Sequence, residues 1–225
     1  MTAGGLLAIG DSIVNGHGDS MAVVPAMSWA QWLADAMDLS YTRYAQGGIR
    51  SAGIVSDLLP RVHGRYSIGV FNMGTNDAMR YWDAETFRAS VEAAAQMMTA
   101  RCDRVLVLSV AISADATAIV NEVASKSGIT VVDSRLSGGR FLAADGVHPT
   151  ALGHLVIADR AAISLGVTLP SSLAINQGRN SLGASYWVGY GRRKVVASAR
   201  GLARKVLRPN RHGVEQHARH EVADH

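Results

Sequence analysis

The sequence predicts an α/β fold, a five-stranded parallel sheet with helices packed on both faces. Three observations carry this expectation. Short apolar runs alternate with longer segments of helical periodicity over the first 166 residues. The third and fourth apolar runs are largely continuous, as strands covered on both faces require. The chain has 225 residues, 48% of them hydrophobic, which suits one domain with a real core and a tail.

Taken in order, the first strand is "GLLAIG" (5–10), which ends in a Gly-Asp-Ser corner. "SWAQWLADAMDL" (28–39) reads as a helix, "YTRYA" (41–45) as the second strand and "SAGIVSDLL" (51–59) as the next helix. "SIGVFNM" (67–73) is the third strand. In "AETFRASVEAAAQMMTAR" (84–101), Phe87, Val91, Ala94, Ala95 and Met98 recur at helical spacing. "RVLVLSV" (104–110) is the fourth strand, and "ADATAIVNEVASKSG" (114–128) a helix that Gly128 can cap. "ITVVD" (129–133) completes the sheet, and "TALGHLVIADRAAISLG" (150–166) is a last helix after Pro149, with Thr150 as N-cap.

The formal net charge of +4 hides an asymmetry. Residues 1–169 hold 12 Lys and Arg against 15 Asp and Glu, whereas residues 170–214 hold nine Lys and Arg and no acid. One Arg faces three acids in the remaining stretch, 215–225. A mildly acidic domain over 1–169 therefore carries a basic extension over 170–225. No stretch approaches the ~18 uninterrupted apolar residues of a membrane span. The opening "MTAGGLLAIGDS" has neither a basic n-region nor a full apolar h-region, so no signal peptide is expected. The single cysteine, Cys102, cannot form an intramolecular disulfide. The expectation is a cytoplasmic protein.

Four separated blocks carry chemistry. Ser12 follows the first strand and Asn76, in "FNMGTNDAM" (71–79), follows the third. In open α/β sheets, ligands bind outside the carboxyl ends of the strands, where both residues fall. A serine there is either part of a surface turn or a nucleophile. The Asn76 amide suits an oxygen that becomes negative, and an Asn-Asp turn is the structural alternative. In "AADGVHPTALGH" (143–154), Asp145 and His148 are three apart, in a segment that Gly146 and Pro149 keep from being a regular helix. A histidine that acts as base needs a carboxylate on its other ring nitrogen. His154 falls inside the last helix, where packing or exposure accounts for it. In "YAQGGIRSAGI" (44–54), the Gly47-Gly48 pair is a turn or a close approach of backbone to ligand.

Together and in this order, "GDS" (10–12), the glycine of "GGIRSAG", "GTND" (74–77) and "DGVHP" (145–149) resemble the SGNH hydrolases, also called the GDSL esterase/lipase family. The resemblance spans residues 5–166 and departs from the family in the glycine block, where "YAQGG" lacks the usual asparagine start. It implies a three-layer, flavodoxin-like fold and a serine esterase. Ser12 would be the nucleophile, His148 the base and Asp145 its orienting carboxylate. The backbone N–H groups of Ser12 and Gly48, with the Asn76 amide, would form the oxyanion hole. Asp11 and Asp77 would brace their loops. Removing Asp145 should hurt less than removing Ser12 or His148. No metal or organic cofactor is implied, and the substrate would be a small-molecule, lipid or acylated-sugar ester. The same blocks would serve an acyltransferase that passes the acyl group to a sugar or lipid hydroxyl, and a noncatalytic binding module could keep the fold. His17, Met21, Val23, Val24 and Met27, with "AMRYWD" (78–83), are candidates for an acyl pocket. Arg50 and Arg80 are candidates to face an anionic substrate.

Beyond the last core helix the resemblance ends. Across 185–210, Val195, Val196, Ala199, Leu202, Ala203, Val206 and Leu207 recur at helical spacing among Arg192, Arg193, Lys194, Arg200, Arg204, Lys205 and Arg208. Tyr186, Trp187 and Tyr190 precede them, and Pro209 ends the pattern. A basic amphipathic helix with neighbouring aromatics suits an anionic membrane surface, here the inner face of the membrane. Packing on the domain or on a second subunit, as in a homo-oligomer, is the other use of such a stripe. The tail has no recognised nucleic-acid module, so no nucleic acid is expected. His212, His217, His220 and His225 have no metal-ligand spacing.

Overall fold

A computed structural model describes residues 4–16, 24–174 and 184–206. Within them, β1 (Gly5–Gly10), β2 (Ser40–Ala45), β3 (Tyr66–Asn72), β4 (Cys102–Leu108) and β5 (Thr130–Val132) form one sheet, every pairing parallel. The strand order is β2-β1-β3-β4-β5, the flavodoxin-like arrangement of a doubly wound fold. β1 sits between β2 and β3, with Ile9 level with Tyr44 on one side and Phe71 on the other. All six of its residues are buried, so the sheet's most protected strand delivers the chain to Asp11 and Ser12.

Helices cover both faces. They are α1 (Ser12–Asn15), α2 (Trp29–Ala36), α3 (Ser51–Gly53), α4 (Thr75–Arg80), α5 (Ala84–Arg101), α6 (Ala114–Ser127), α7 (Ala151–Leu165) and α8 (Pro170–Ala174); a further helix, α9 (Ala184–Val206), follows them in the chain. On one face Leu7, Ile9, Phe71 and Val107 pack with Phe87 and Met98 of α5 and with Val120 and Val123 of α6. Strand alternation turns the fully buried Leu6 and Ala8 to the other face, where α2 packs on α7 and α8. The expected caps are present: Thr150 accepts from the Gly153 N–H, and Gly128 closes α6 at φ 67°.

Three elements differ from the sequence expectation by two residues or more, each for a local reason. The helix expected over 28–39 stops at Ala36, because Asp38 turns left-handed at φ 51°. The fourth strand begins at Cys102 and leaves the ladder after Leu108, where the Thr117 hydroxyl satisfies both the N–H and the carbonyl of Val110. The helix expected over 51–59 is α3 followed by a π-helical turn (Ile54–Leu58) and a 3₁₀ turn (Leu59–Arg61). Pro60, which has no N–H to offer an α-helix, sits in the last of these.

The described residues group into two units that divide between 182 and 183. The boundary read from the sequence at 169/170 falls between α7 and α8, and α8 packs with α7 and α2. No described helix is long and apolar enough to cross a membrane.

Candidate active site

Ser12 stands where β1 ends. Asp11, fully buried, caps α1 by accepting the Ile13 N–H at 2.9 Å, which makes Ser12 the first residue of a short helix. An α-helix leaves its first N–H groups without intrahelical acceptors, so the Ser12 N–H faces the edge uncommitted by the helix. The same Asp11 oxygen also accepts from the Asn72 amide at 2.7 Å, tying the ends of β1 and β3 together.

Gly74 turns the chain from β3 into α4. Its φ is 105°, and a Cβ there would stand 2.8 Å from the Phe87 ring, so both backbone and space require glycine. Asn76 then lies in the first turn of α4, buried. Its amide donates to the Ile49 carbonyl at 2.9 Å, with the Asp11 carboxylate at 3.5 Å. Its neighbour Asp77 accepts the Ser51 N–H at 3.0 Å and the Ser51 hydroxyl at 2.7 Å. The segment Ile49–Ser51 is thus held from two successive side chains of α4. Gly48 precedes it at φ 77°, a left-handed turn that Gly47 does not share. Asp11 and Asp77 brace loops, as their placement in the sequence suggested.

Asp145 and His148 sit at the tip of a closed loop. The Leu142–Pro149 bridge, the Ala143 N–H to the His148 carbonyl (2.8 Å) and the Thr150 N–H to the Phe141 carbonyl (2.9 Å) zip its base. Gly153 opens the first turn of α7 so close beneath it that any Cβ would run into the Phe141 carbonyl. One Asp145 oxygen accepts the N–H groups of Val147 (2.9 Å) and His148 (3.0 Å), which turns the other toward the imidazole. That second oxygen meets His148 Nδ1 at 2.6 Å, and His148 Nε2 meets Ser12 Oγ at 2.8 Å. With the Nδ1 proton held by the carboxylate, Nε2 is the acceptor for the serine hydroxyl.

Burial alone would raise the Asp145 carboxyl, but the hydrogen bonds from the His148 ring and from the His148 and Val147 backbone outweigh it and hold it at about 2. The Asp145 hydrogen bond raises His148 above its ordinary value; partial burial opposes this, and the Asp145 and Asp11 charges add to it. Burial pushes Asp11 up despite its donors.

Beside this trio lies an apolar recess lined by Ile13, Thr75, Ile112, Leu136, Val147 and Pro149, among others. Ile13, Thr75 and Val147 are the chain neighbours of Ser12, Asn76 and His148, whose own side chains do not line the recess. It draws on the loops after β1, β3, β4 and β5. The pocket expected from the sequence used other residues. His17, Met21 and Val23 lie outside the described residues, Val24 is buried, and Met79 and Tyr81 of the 78–83 segment are exposed. Sequence reasoning missed Asn72, although a polar residue closing an apolar run was a signal, and missed the recess, for which there was none.

Arg50 and Arg80 divide in role. Arg50 donates to the Tyr81 carbonyl at 2.8 Å and stands 3.6 Å from Asp77, so it joins two loops. The exposed Arg80 extends over the glycine loop, its guanidinium 4.0 Å from where a Gly48 Cβ would be. His154 is buried within α7. Among the described residues, no group of three or more His, Cys, Asp or Glu is placed to hold a metal ion.

The profile of the GDSL-like Lipase/Acylhydrolase family matches residues 8–156, which include every one of the residues just described at the site. No curated protein matches at a significant level. Among solved structures, the chain is similar to LAE5, an alpha/beta hydrolase enzyme from the metagenome of Lake Arreo, Spain, at TM-score 0.59 and 17% identity over 72% of this chain and 95% of that one. It is similar to Axe2, an acetylxylan esterase from Geobacillus stearothermophilus, at TM-score 0.57 and 15% identity over 80% and 100% of the two chains. The psychrotrophic esterase EstA from Pseudoalteromonas sp. aligns at TM-score 0.58 and 15% identity over 72% and 96%. The fold of these structures is the fold found here, and the family match covers most of the first unit: the chain belongs to the GDSL-like lipase/acylhydrolase family of ester-cleaving enzymes.

Proposed function

We propose that the protein is a serine esterase that cleaves O-acyl esters through an acyl-enzyme on Ser12. The observation that carries this reading is the unbroken chain Ser12 Oγ–His148 Nε2–Asp145, at 2.8 and 2.6 Å, on the carboxyl edge of the sheet. A serine hydroxyl is a poor nucleophile near neutral pH until an adjacent base takes its proton. As Oγ attacks the ester carbonyl carbon, His148 Nε2 accepts that proton and Asp145 stabilises the resulting imidazolium. The carbonyl oxygen becomes an oxyanion facing the N–H groups of Ser12 and Gly48 and the Asn76 amide. Asn76 Nδ2 carries two hydrogens; one is committed to the Ile49 carbonyl, and the other has only the long 3.5 Å contact to Asp11 to give up. His148 returns the proton to the departing alcohol. Water then repeats the attack on the acyl-enzyme and frees Ser12.

The recess of Ile13, Thr75, Ile112, Val147 and Pro149 receives the acyl group. Its apolar lining favours a small acyl group on a sugar or other alcohol, in keeping with the acetylxylan esterase among the similar structures. Arg80, beside the glycine loop, favours an anionic alcohol portion. Hydrolysis is preferred to transfer because water reaches the base: the His148 side chain is 36% exposed and the Asp145 side chain 45%.

Turnover of a short-chain aryl ester by wild type and Ser12→Ala tests the reading. Loss of about 10⁴-fold or more is expected for the variant. Unchanged turnover would remove the assignment. A wild-type product pool dominated by the ester of an added sugar or glycerol acceptor would reassign the protein as a transferase.

A further inference from the structure

We propose that α9 docks on an anionic lipid bilayer surface, lying in the interface with its apolar stripe inward. The helix runs from Ala184 to Val206, 23 residues, about 34 Å at 1.5 Å per residue. It contains six Lys or Arg and no acidic residue. By helical position, Val188, Val195, Ala199, Leu202 and Val206 share one arc, while Arg193, Arg200 and Arg204 occupy the opposite one. Two of its members stand open to solvent: Val188 is 58% exposed and Val195 70%. At the N-terminal end, Trp187 is 46% exposed and makes edge contacts with Tyr186 and Tyr190 at 5.3 and 6.0 Å. Amphipathic aromatic rings of this kind sit at the headgroup level of a bilayer.

Each feature narrows the occupant. The helix is too polar to span a bilayer, so it lies on the surface. A second copy of α9 laid on the stripe would cover the valines but leave the six cations of each helix without an anionic partner, since neither helix holds a carboxylate. A nucleic acid would use the charge and leave the valines and the tryptophan in water. An anionic bilayer takes both halves: phosphate headgroups meet the arginines, and the acyl boundary meets the valine stripe.

Flotation of the full-length protein with phosphatidylcholine vesicles, with and without one-quarter phosphatidylglycerol, tests this. Binding is expected to the anionic vesicles, to weaken with salt, and to be weak on phosphatidylcholine alone. Replacing Arg192, Arg193 and Lys194 by Gln should lower the partition coefficient about 10²-fold. Val188→Asp with Val195→Asp should abolish binding while every cation stays in place, and an unchanged thermal melt shows that the domain still folds. Four outcomes would overturn the proposal. These are no binding to anionic vesicles, full binding by the Val188→Asp, Val195→Asp protein, a solution dimer dissolved by that double substitution, and tighter binding to a DNA duplex than to vesicles at the same salt.

Discussion

Replacing Asp145 by Asn tests the catalytic assembly more sharply than deleting the side chain. One Asp145 oxygen accepts two backbone N–H groups, from Val147 at 2.9 Å and His148 at 3.0 Å. An asparagine carbonyl takes over those bonds without adjustment, and that fixes its NH₂ where the second carboxylate oxygen stood, 2.6 Å from His148 Nδ1. Two donors cannot share that contact. The imidazole must move its proton to Nε2, and a protonated Nε2 at 2.8 Å from Ser12 Oγ has no lone pair for the serine proton. The wrong tautomer is thereby held in place by the loop itself. A fall in kcat of about 10⁴-fold is expected, near 5 kcal/mol of transition-state stabilisation. Asp145→Ala should cost less, about 10³-fold, because the Asp145 side chain is 45% exposed and water can reach Nδ1 in its absence. The assay is steady-state turnover of a p-nitrophenyl ester with both variants, with far-ultraviolet circular dichroism to confirm folding. An Asn variant within tenfold of wild type, or better than the Ala variant, would refute the reasoning.

Other predictions follow from the same geometry. His148 must be neutral to act as base, and Asp145 raises its pKa, so kcat/KM should fall as pH drops through a value above the ordinary histidine pKa of about 6.5. In Asp145→Ala that acid limb should move to lower pH, since the opposing effect of burial remains. The pair's contribution to stability should be lost as pH rises through the raised His148 value, and again as pH falls from about 4 toward the Asp145 value of about 2; thermal melts across pH measure both. Asp77→Ala frees Ser51 and with it the Gly48 loop, and should lower kcat/KM about 10²-fold with partial rescue by Asp77→Asn. Gly74→Ala forces a left-handed Cβ against the Phe87 ring and should cost about 2–5 kcal/mol in urea denaturation. Arg80→Gln should reduce kcat/KM up to about fivefold for esters of anionic alcohols and leave neutral esters unchanged, an effect that salt erases.

The sheet was legible because its strands carry their signal locally: "GLLAIG" and "SIGVFNM" are buried on both faces and contain little else than apolar residues. The site blocks were legible for a related reason, since each follows directly on a strand or precedes a capped helix. What escaped was set by contacts between distant segments. The short helices α1 and α4 open in "GDS" and "GTND", residues that read as turns, and they are helical because Asp11 caps one and Gly74 aims the other. The recess could not be read at all, because Ile13, Ile112 and Val147 come from three separate segments with no common pattern. The glycine block held the narrowest distinction: Gly47 and Gly48 are alike in sequence, and only the latter adopts a positive φ.

The central claim is that Ser12 attacks the ester carbonyl and carries the acyl group. Its most direct test is covalent: treat the wild-type protein with a p-nitrophenyl phosphonate and map the labelled peptide by mass spectrometry. The account predicts one equivalent of phosphonate on Ser12, loss of turnover in step with labelling, and no adduct in His148→Ala. Labelling of another residue, or full turnover by a protein carrying the adduct on Ser12, would contradict it.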